Sequence, residues 1–237
     1  MERSPTFSSL AGQRLLVVGG SSGIGLAVAQ AAASLGGRVT IAGRDADRLT
    51  AAIALIGNAA MGTPLDMTDA DQIAAFFAAN EPFDHVIVTA AAISAGPVRE
   101  LPIETAYATF ASKFWGPYLI AKFARISEEG SLTLISGAAA RRPRAGRGPV
   151  AAASAAIEAL TKVLAAEFAP IRVNCISPGL VDTPMLRAAR QRSGQPANPP
   201  MTRVGRPEEV AFQILACAVN TYLTGAIIDI DGGLTLA

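Results

Sequence analysis

Leu15-Leu16-Val17-Val18-Gly19-Gly20-Ser21-Ser22-Gly23-Ile24-Gly25 passes from an apolar run into a glycine-rich turn and then into an Ala-rich segment, Leu26 to Leu35. The apolar run reads as a buried strand and the Ala-rich segment as a helix. Strand, glycine turn and helix together make the glycine spacing credible as a nucleotide cradle. Gly19 permits the tight turn, Gly23 lets backbone approach a pyrophosphate, and Gly25 lets the helix pack near the strand. Unpaired N–H groups at the helix start, with Ser21, Ser22 and Ile24 beside them, would face the phosphates, where the helix dipole favours anions.

Outward from this unit the chain alternates short β-rich runs with helical patterns. Strands are expected at 14–18, 38–42, 61–65, 85–89, 131–136, 171–176 and 226–230. Helices are expected near 23–35, 46–56, 69–79, 103–126, 149–168 and 207–217. This alternation predicts an α/β protein: one doubly wound Rossmann-type domain over 1–237, with a parallel sheet of about seven strands and helices on both faces. The polar, proline-rich stretch 184–206 breaks the pattern. It reads as a substrate loop or lid, or as a plain surface connection.

Bulk properties narrow the classes of function. The 237 residues, 51% of them hydrophobic, suit a substantial core. A net charge of +1 gives no global field to recruit nucleic acid or an anionic membrane. The first ten residues, MERSPTFSSL, have no apolar core of signal-peptide type, and no apolar run reaches transmembrane length, so a cytoplasmic protein is expected. Cys175 and Cys217 lack CxxC spacing and read as buried thiols. With His85 the sole histidine, and that inside a strand pattern, neither a His-rich metal site nor a Ser-His-Asp triad is expected.

Several separated motifs, GGSSGIG at 19–25, LDMTD at 65–69, SPGLVDTPM at 177–185, GRPEEVA at 205–211 and YLTGAIIDIDGG at 222–233, occur in this order. In that set the chain resembles the short-chain dehydrogenase/reductase family over essentially its whole length. The resemblance implies a nicotinamide coenzyme, a small-molecule substrate, and homodimers or homotetramers built on 103–126, 149–168 and 226–230. Val18 stands where that family usually has Thr.

The residue that reads the adenosine ribose should follow the second strand. Gly43 stands at the tip, and Arg44 next to it offers a planar cationic fork for a 2′-phosphate. This favours NADP(H). The competing reading is that Arg44 pairs with Asp45 or Asp47, and Asp45 leaves NAD(H) open. By resemblance, Asp66 and Met67 hold the adenine ring. Ala90 and Ala91 lie beneath the coenzyme without the family's side-chain amides. Pro178, Gly179, Val181 and Thr183 position the nicotinamide.

The resemblance also implies an Asn, a Ser, a Tyr and a Lys, the last two spaced YxxxK. There the Tyr protonates the alkoxide left by hydride addition, with its pKa lowered by nearby positive charge. Here Val150 falls at the Tyr position, Ser154 at the Lys, Gly137 at the Ser, and Lys113 at the Asn. Tyr118-Leu119-Ile120-Ala121-Lys122 satisfies YxxxK but sits on the preceding helix, and reads as a pair one turn apart.

Lys113 is the leading replacement. Its ammonium would hold the nicotinamide ribose, polarise a substrate oxygen, or give a proton if burial lowers its pKa. Its other reading is an exposed or helix-paired lysine. Ser136 is a hydrogen-bond donor to a carbonyl only if its strand has ended by that point. Ser154 would contact ribose or water. Arg141, Arg142, Arg144 and Arg147 read as a site for an acidic ligand or as a solvated basic loop. Tyr107, Phe110, Phe114 and Trp115 read as helix-packing or interface residues. The expectation is an atypical NADP(H)-dependent reductase of a carbonyl or imine-type group. The alternative is an inactive NADP(H)-binding sensor or partner subunit.

Overall fold

A computed structural model describes residues 10–193 and 199–236. Seven parallel strands form one sheet: β1 Arg14–Val18, β2 Arg38–Gly43, β3 Ala60–Pro64, β4 Phe83–Val88, β5 Ile126–Ile135, β6 Arg172–Pro178 and β7 Ile227–Ile230. Their order is β3-β2-β1-β4-β5-β6-β7. The order reverses between β1 and β4, which opens the crevice where ligands bind in such sheets.

The two-residue period of a strand explains the two cores. In β1, Leu15 and Val17 point to one face, and Leu16 and Val18 to the other. The first face is covered by helices α1 Gly23–Ser34, α2 Ala46–Ile56 and α8 Pro207–Val219. The second is covered by α3 Ala70–Ala78, α5 Gly116–Phe123 and α6 Gly148–Glu167. Central strands are therefore apolar on both faces, as a doubly covered parallel sheet requires. Helix starts follow their side chains: Asp45 accepts from Arg48 N–H at 3.0 Å, and Asp69 accepts from Asp71 and Gln72 N–H.

Four expectations need correction. First, the helix expected over 103–126 is three pieces: α4 Ile103–Phe110, a π turn Ala111–Trp115, and α5, after which β5 begins at Ile126. Second, β5 starts earlier than its apolar run because Phe83 pairs with Ile126 while His85 pairs with Ser131. The intervening residues include exposed Glu128 and Glu129, which hide the strand in the sequence. Third, the stretch read as a loop begins with a helix, α7 Pro184–Ser193. The proline cluster centred on 195–200 lies partly outside the described residues, as does the N-terminal segment 1–9. Fourth, α6 does have the length and apolar composition to cross a membrane. It instead lays Val150, Ala153, Ser154, Ile157, Thr161 and Leu164 into the protein, packed on β5 and β6.

Candidate functional site

A cavity of about 590 Å³ opens along the C-terminal ends of the strands. All of the sequence-derived coenzyme candidates line it: Gly19, Ser21, Ser22, Gly23, Ile24, Gly25, Arg44, Asp66, Met67, Ala90, Ala91, Pro178, Gly179, Val181 and Thr183. So do Lys113, Ser136, Gly137, Val150 and Ser154.

Backbone closeness accounts for the glycines. Gly19 has φ of +90°, and a Cβ there would stand 2.5 Å from Ala90 N. A Cβ on Gly25 would collide with the Gly19 carbonyl oxygen. The turn is thereby pressed against both the β4 exit and its own helix. Ser22, the N-cap of α1, makes no side-chain capping bond, and the first turn of α1 has no acidic residue. Its leading N–H groups are left for an anion. A glycine-rich concave turn with an uncapped helix start fits the pyrophosphate of a dinucleotide.

Next to this cradle, Arg44 makes no hydrogen bond or ion pair with Asp45 or Asp47 among the described residues; Asp45 is committed to capping α2 and to Arg48, 3.6 Å away. Asp66 Oδ1 accepts from Thr68 N–H at 2.9 Å and from Thr68 Oγ1 at 2.8 Å. Partial burial raises the Asp66 pKa, but these two bonds, helped by the Arg44 charge, bring it below the usual carboxylate value. Thr183 lies over the glycine turn: a Cβ on Gly23 would be 3.1 Å from Thr183 Cγ2. Thr183 Oγ1 also accepts from Leu186 N–H at 3.2 Å and so caps α7. Val181 is buried and bridges to Gly205.

At the other end, the π turn carries Ser112 and Lys113 inward. A π turn shifts the register of the side chains that follow it, and such turns cluster at functional sites. Ser112 Oγ donates to Ala92 O at 2.7 Å and accepts from Ala92 N–H at 3.1 Å, which fastens the β4 exit to the helix. Lys113 is only 7% exposed, which corrects the exposed or helix-paired reading. Its Nζ donates to the Ser136 carbonyl at 2.7 Å, and it has no ion pair among the described residues. Burial lowers its pKa from 10.5 to about 8, opposed in part by Cys175.

Ser136 corrects a second expectation. Its hydroxyl donates to Glu158 Oε1 at 3.0 Å and is not a free donor to a substrate carbonyl; what it offers Lys113 is its backbone oxygen. Ser154 is fully buried, and its Oγ has no hydrogen-bond partner among the described residues. Gly137 is adjacent: a Cβ there would lie 3.9 Å from Ser154 Oγ. Val150 is buried in the wall and adds shape alone.

No tyrosine or histidine is found among the described residues lining this cavity. Tyr107, Tyr118 and Tyr222 are exposed elsewhere. Tyr118 meets Trp115 edge-on and Phe114 at a tilt, and Lys122 lies over the Phe123 ring, so the YxxxK look-alike is a surface pair. His85 accepts from or donates to Ser131 and Gln13 and belongs to the opposite end of the sheet. Among the described residues no group of three His, Cys, Asp or Glu side chains is arranged to hold a metal.

Three contributors escaped the sequence reading: Ser112, Arg48 and Arg190, all lining the cavity. Ser112 is marked only by its place beside Lys113. Arg48 is marked by its spacing from Asp45, and Arg190 by a helix within what reads as loop.

A family model described as enoyl-(acyl carrier protein) reductase matches residues 18–235. A short-chain dehydrogenase/reductase of Stachybotrys chlorohalonatus is 30% identical over 250 residues, covering 96% of this chain and 99% of that protein. Among solved structures, a short chain dehydrogenase/reductase family protein is 32% identical with a TM-score of 0.90, covering 97% of this chain and 100% of the other. The MalC reductase/Diels-Alderase of Malbranchea aurantiaca is 28% identical with a TM-score of 0.84, covering 96% and 98%.

Proposed function

The chain belongs to the short-chain dehydrogenase/reductase family of NAD(P)-dependent oxidoreductases, and we propose that it is an atypical, NADP(H)-dependent member that reduces a carbonyl or imine-type group of a small molecule. One observation carries the reading: the buried, carboxylate-free ammonium of Lys113 stands in the wall of the same cavity that holds the glycine cradle.

When bound, the coenzyme supplies hydride to an electron-poor carbon. The remaining tasks fall to this chain. The α1 start and the glycine turn hold pyrophosphate, Arg44 takes a 2′-phosphate, Asp66 and Met67 flank adenine, and Thr183 with the 178–181 backbone orients the nicotinamide. The open Arg44 fork and the engaged Asp45 support NADP(H) over NAD(H). Lys113, its pKa lowered by burial to about 8, gives a proton to the substrate oxygen or nitrogen and recovers it from solvent. The Ser136 carbonyl fixes the direction of Nζ, and the unpartnered Ser154 hydroxyl is a ready contact for ribose or substrate. An iminium needs the least help, since its carbon is already electron-poor.

A second reading, an NADP(H)-binding sensor or partner subunit without turnover, is supported by the lack of a tyrosine among the described lining residues. Coenzyme oxidation measured against ketones, aldehydes and cyclic imines separates the two. Turnover of any of them supports the reductase; NADPH binding with no turnover across the panel supports the sensor.

The proposed assembly is a homodimer or homotetramer. Exposed Tyr107, Trp115, Tyr118 and Val163 on α4, the π turn, α5 and α6 support it, as do exposed Ala152 and Ala155, which permit close helix approach. The proposed location is the cytoplasm, with neither nucleic acid nor membrane as a partner; the two free, buried thiols are in keeping with a reducing compartment.

A further inference from the structure

The charges in the cavity are unevenly distributed. Its only acidic lining residues among those described are Asp45 and Asp66, both at the nucleotide end. The substrate end carries Lys113, Arg142, Arg144, Arg147 and Arg190, with no carboxylate among its lining residues; Arg190 feels the charge of Asp182, which lies outside the lining. Several arginines elsewhere are held by carboxylates: Arg48 by Asp45, Arg187 by Asp182, Arg203 by Glu209. Within the basic loop itself, Arg141 turns away from the cavity to Glu158 and Asp229. Its three neighbours in the cavity wall have no ion pair among the described residues, and Arg190 Nε is buried without a hydrogen-bond partner.

The loop is also fastened, unlike a solvated charge run. Gly146 O accepts from Gly96 N–H at 2.8 Å on one side, and Arg142 Nη1 donates to Leu234 O at 2.8 Å on the other. The arginines are presented by a tied loop and by α7, and the same cavity is lined by the apolar Val150, Ile93 and Leu186.

The loop cations are not where the coenzyme phosphates go. Arg44 follows β2 and the pyrophosphate cradle follows β1, whereas the arginine loop follows β5. In the order β2-β1-β4-β5 the loop lies three strand spacings from Arg44, ~14 Å, and two from the cradle, ~10 Å.

We propose that Arg144, Arg147 and Arg190, with Arg142 behind them, bind an oxyanion, a carboxylate or a phosphate, on an otherwise apolar substrate whose carbonyl or imine carbon meets the coenzyme. This specifies the substrate class and rests on the reductase reading only for the reacting group. Arginine forks suit either oxyanion bidentately. The chain binds 4-phenyl-2-oxobutanoate or its phosphonate counterpart, and discriminates against the neutral methyl ester of the acid.

Calorimetric titration of the full chain loaded with the oxidised coenzyme NADP+, which has no hydride to give, with these three probes tests the proposal. At least one anion should bind roughly tenfold or more tighter than the ester, and Arg144→Gln/Arg147→Gln should erase that preference while NADPH affinity stays unchanged. Arg144→Lys/Arg147→Lys, which keeps charge but not the fork, should restore part of it. Equal binding of anions and ester, binding of none, or a preference that survives the Gln pair overturns the proposal. Weaker NADPH binding in a folded Gln pair also overturns it, because the arginines would then serve the coenzyme. Because the readout is binding, an anion preference without turnover leaves this inference standing and removes the reductase reading alone.

Discussion

At the scale of single residues, the chemistry turns on what burial does to an ammonium. Lys113 at the surface would stay charged far above neutral pH. Desolvation in the wall brings its pKa down to about 8, so it holds a proton at pH 7 yet releases it readily. A proton donor must be in its acid form, so kcat/KM for reduction is expected to fall as pH rises through about 8. Lys113→Met should lower kcat by ~10²–10⁴ and remove that limb of the profile, with NADPH affinity intact. An unchanged profile in the variant would exclude Lys113 as the donor. Arg44 is tested by choice of coenzyme. A charge-assisted contact contributes ~1.5–3 kcal/mol, so Arg44→Ala should weaken NADPH binding about 10- to 100-fold and leave NADH nearly untouched, as read by coenzyme fluorescence. An equal loss for both coenzymes would place Arg44 outside the 2′-phosphate site.

At the scale of elements, boundaries follow local chemistry that is only partly visible in the chain. β1, β2, β4 and β6 are legible because each carries a run of apolar residues that a strand covered on both faces needs, and the cradle is legible because only glycine fits its contacts at Gly19 and Gly25. The π turn is not legible: Ala111-Ser112-Lys113-Phe114-Trp115 is an ordinary helical run by composition, and its extra residue shows only in the inward turn of Ser112 and Lys113. α7 had a signal in Thr183-Pro184, an N-cap followed by the proline favoured at a first helical position. The proline-rich run beyond it outweighs that signal in reading the sequence. The role of Ser136 is not legible for a different reason. Which way a hydroxyl points at a strand end depends on a partner, Glu158, twenty-two residues away. α8 illustrates how far apart such partners lie. Arg172, buried at the start of β6, donates to the carbonyls of Cys217, Ala218 and Asn220 at 2.6–2.8 Å and closes the C-terminal end of that helix. Arg172→Met would leave those buried acceptors unmatched. A loss of ~2–4 kcal/mol is expected, read as a lower urea midpoint. A midpoint within error of the parent would mean that water serves the helix end equally well.

At the scale of the whole molecule, the sheet separates chemistry from stability. The cavity occupies the C-terminal ends of the strands, and a polar network joins the N-terminal ends. There Asp84 Oδ2 accepts from Arg14 N–H at 2.7 Å, Ser127 Oγ donates to Asp84 Oδ1 at 2.9 Å, and His85 bridges Ser131 at 2.8 Å and Gln13 at 2.9 Å. His85 is 3% exposed. Burial, with the Arg172 charge added and Asp84 partly opposing, lowers its pKa from 6.5 to about 4. The folded state therefore resists a proton that the unfolded chain accepts. Stability is full above pH 6.5 and is lost as pH falls toward 4, with a cost on the order of 3 kcal/mol from this group. For a chain of this length that corresponds to a drop of ~6–12 °C in melting temperature. His85→Gln, which can still bond to both neighbours but does not titrate, should flatten the curve between those two pH values while leaving NADPH affinity as it was, because the two ends of the sheet share no side chain. Parallel melting curves for the two proteins would trace the acid sensitivity to the carboxylates instead.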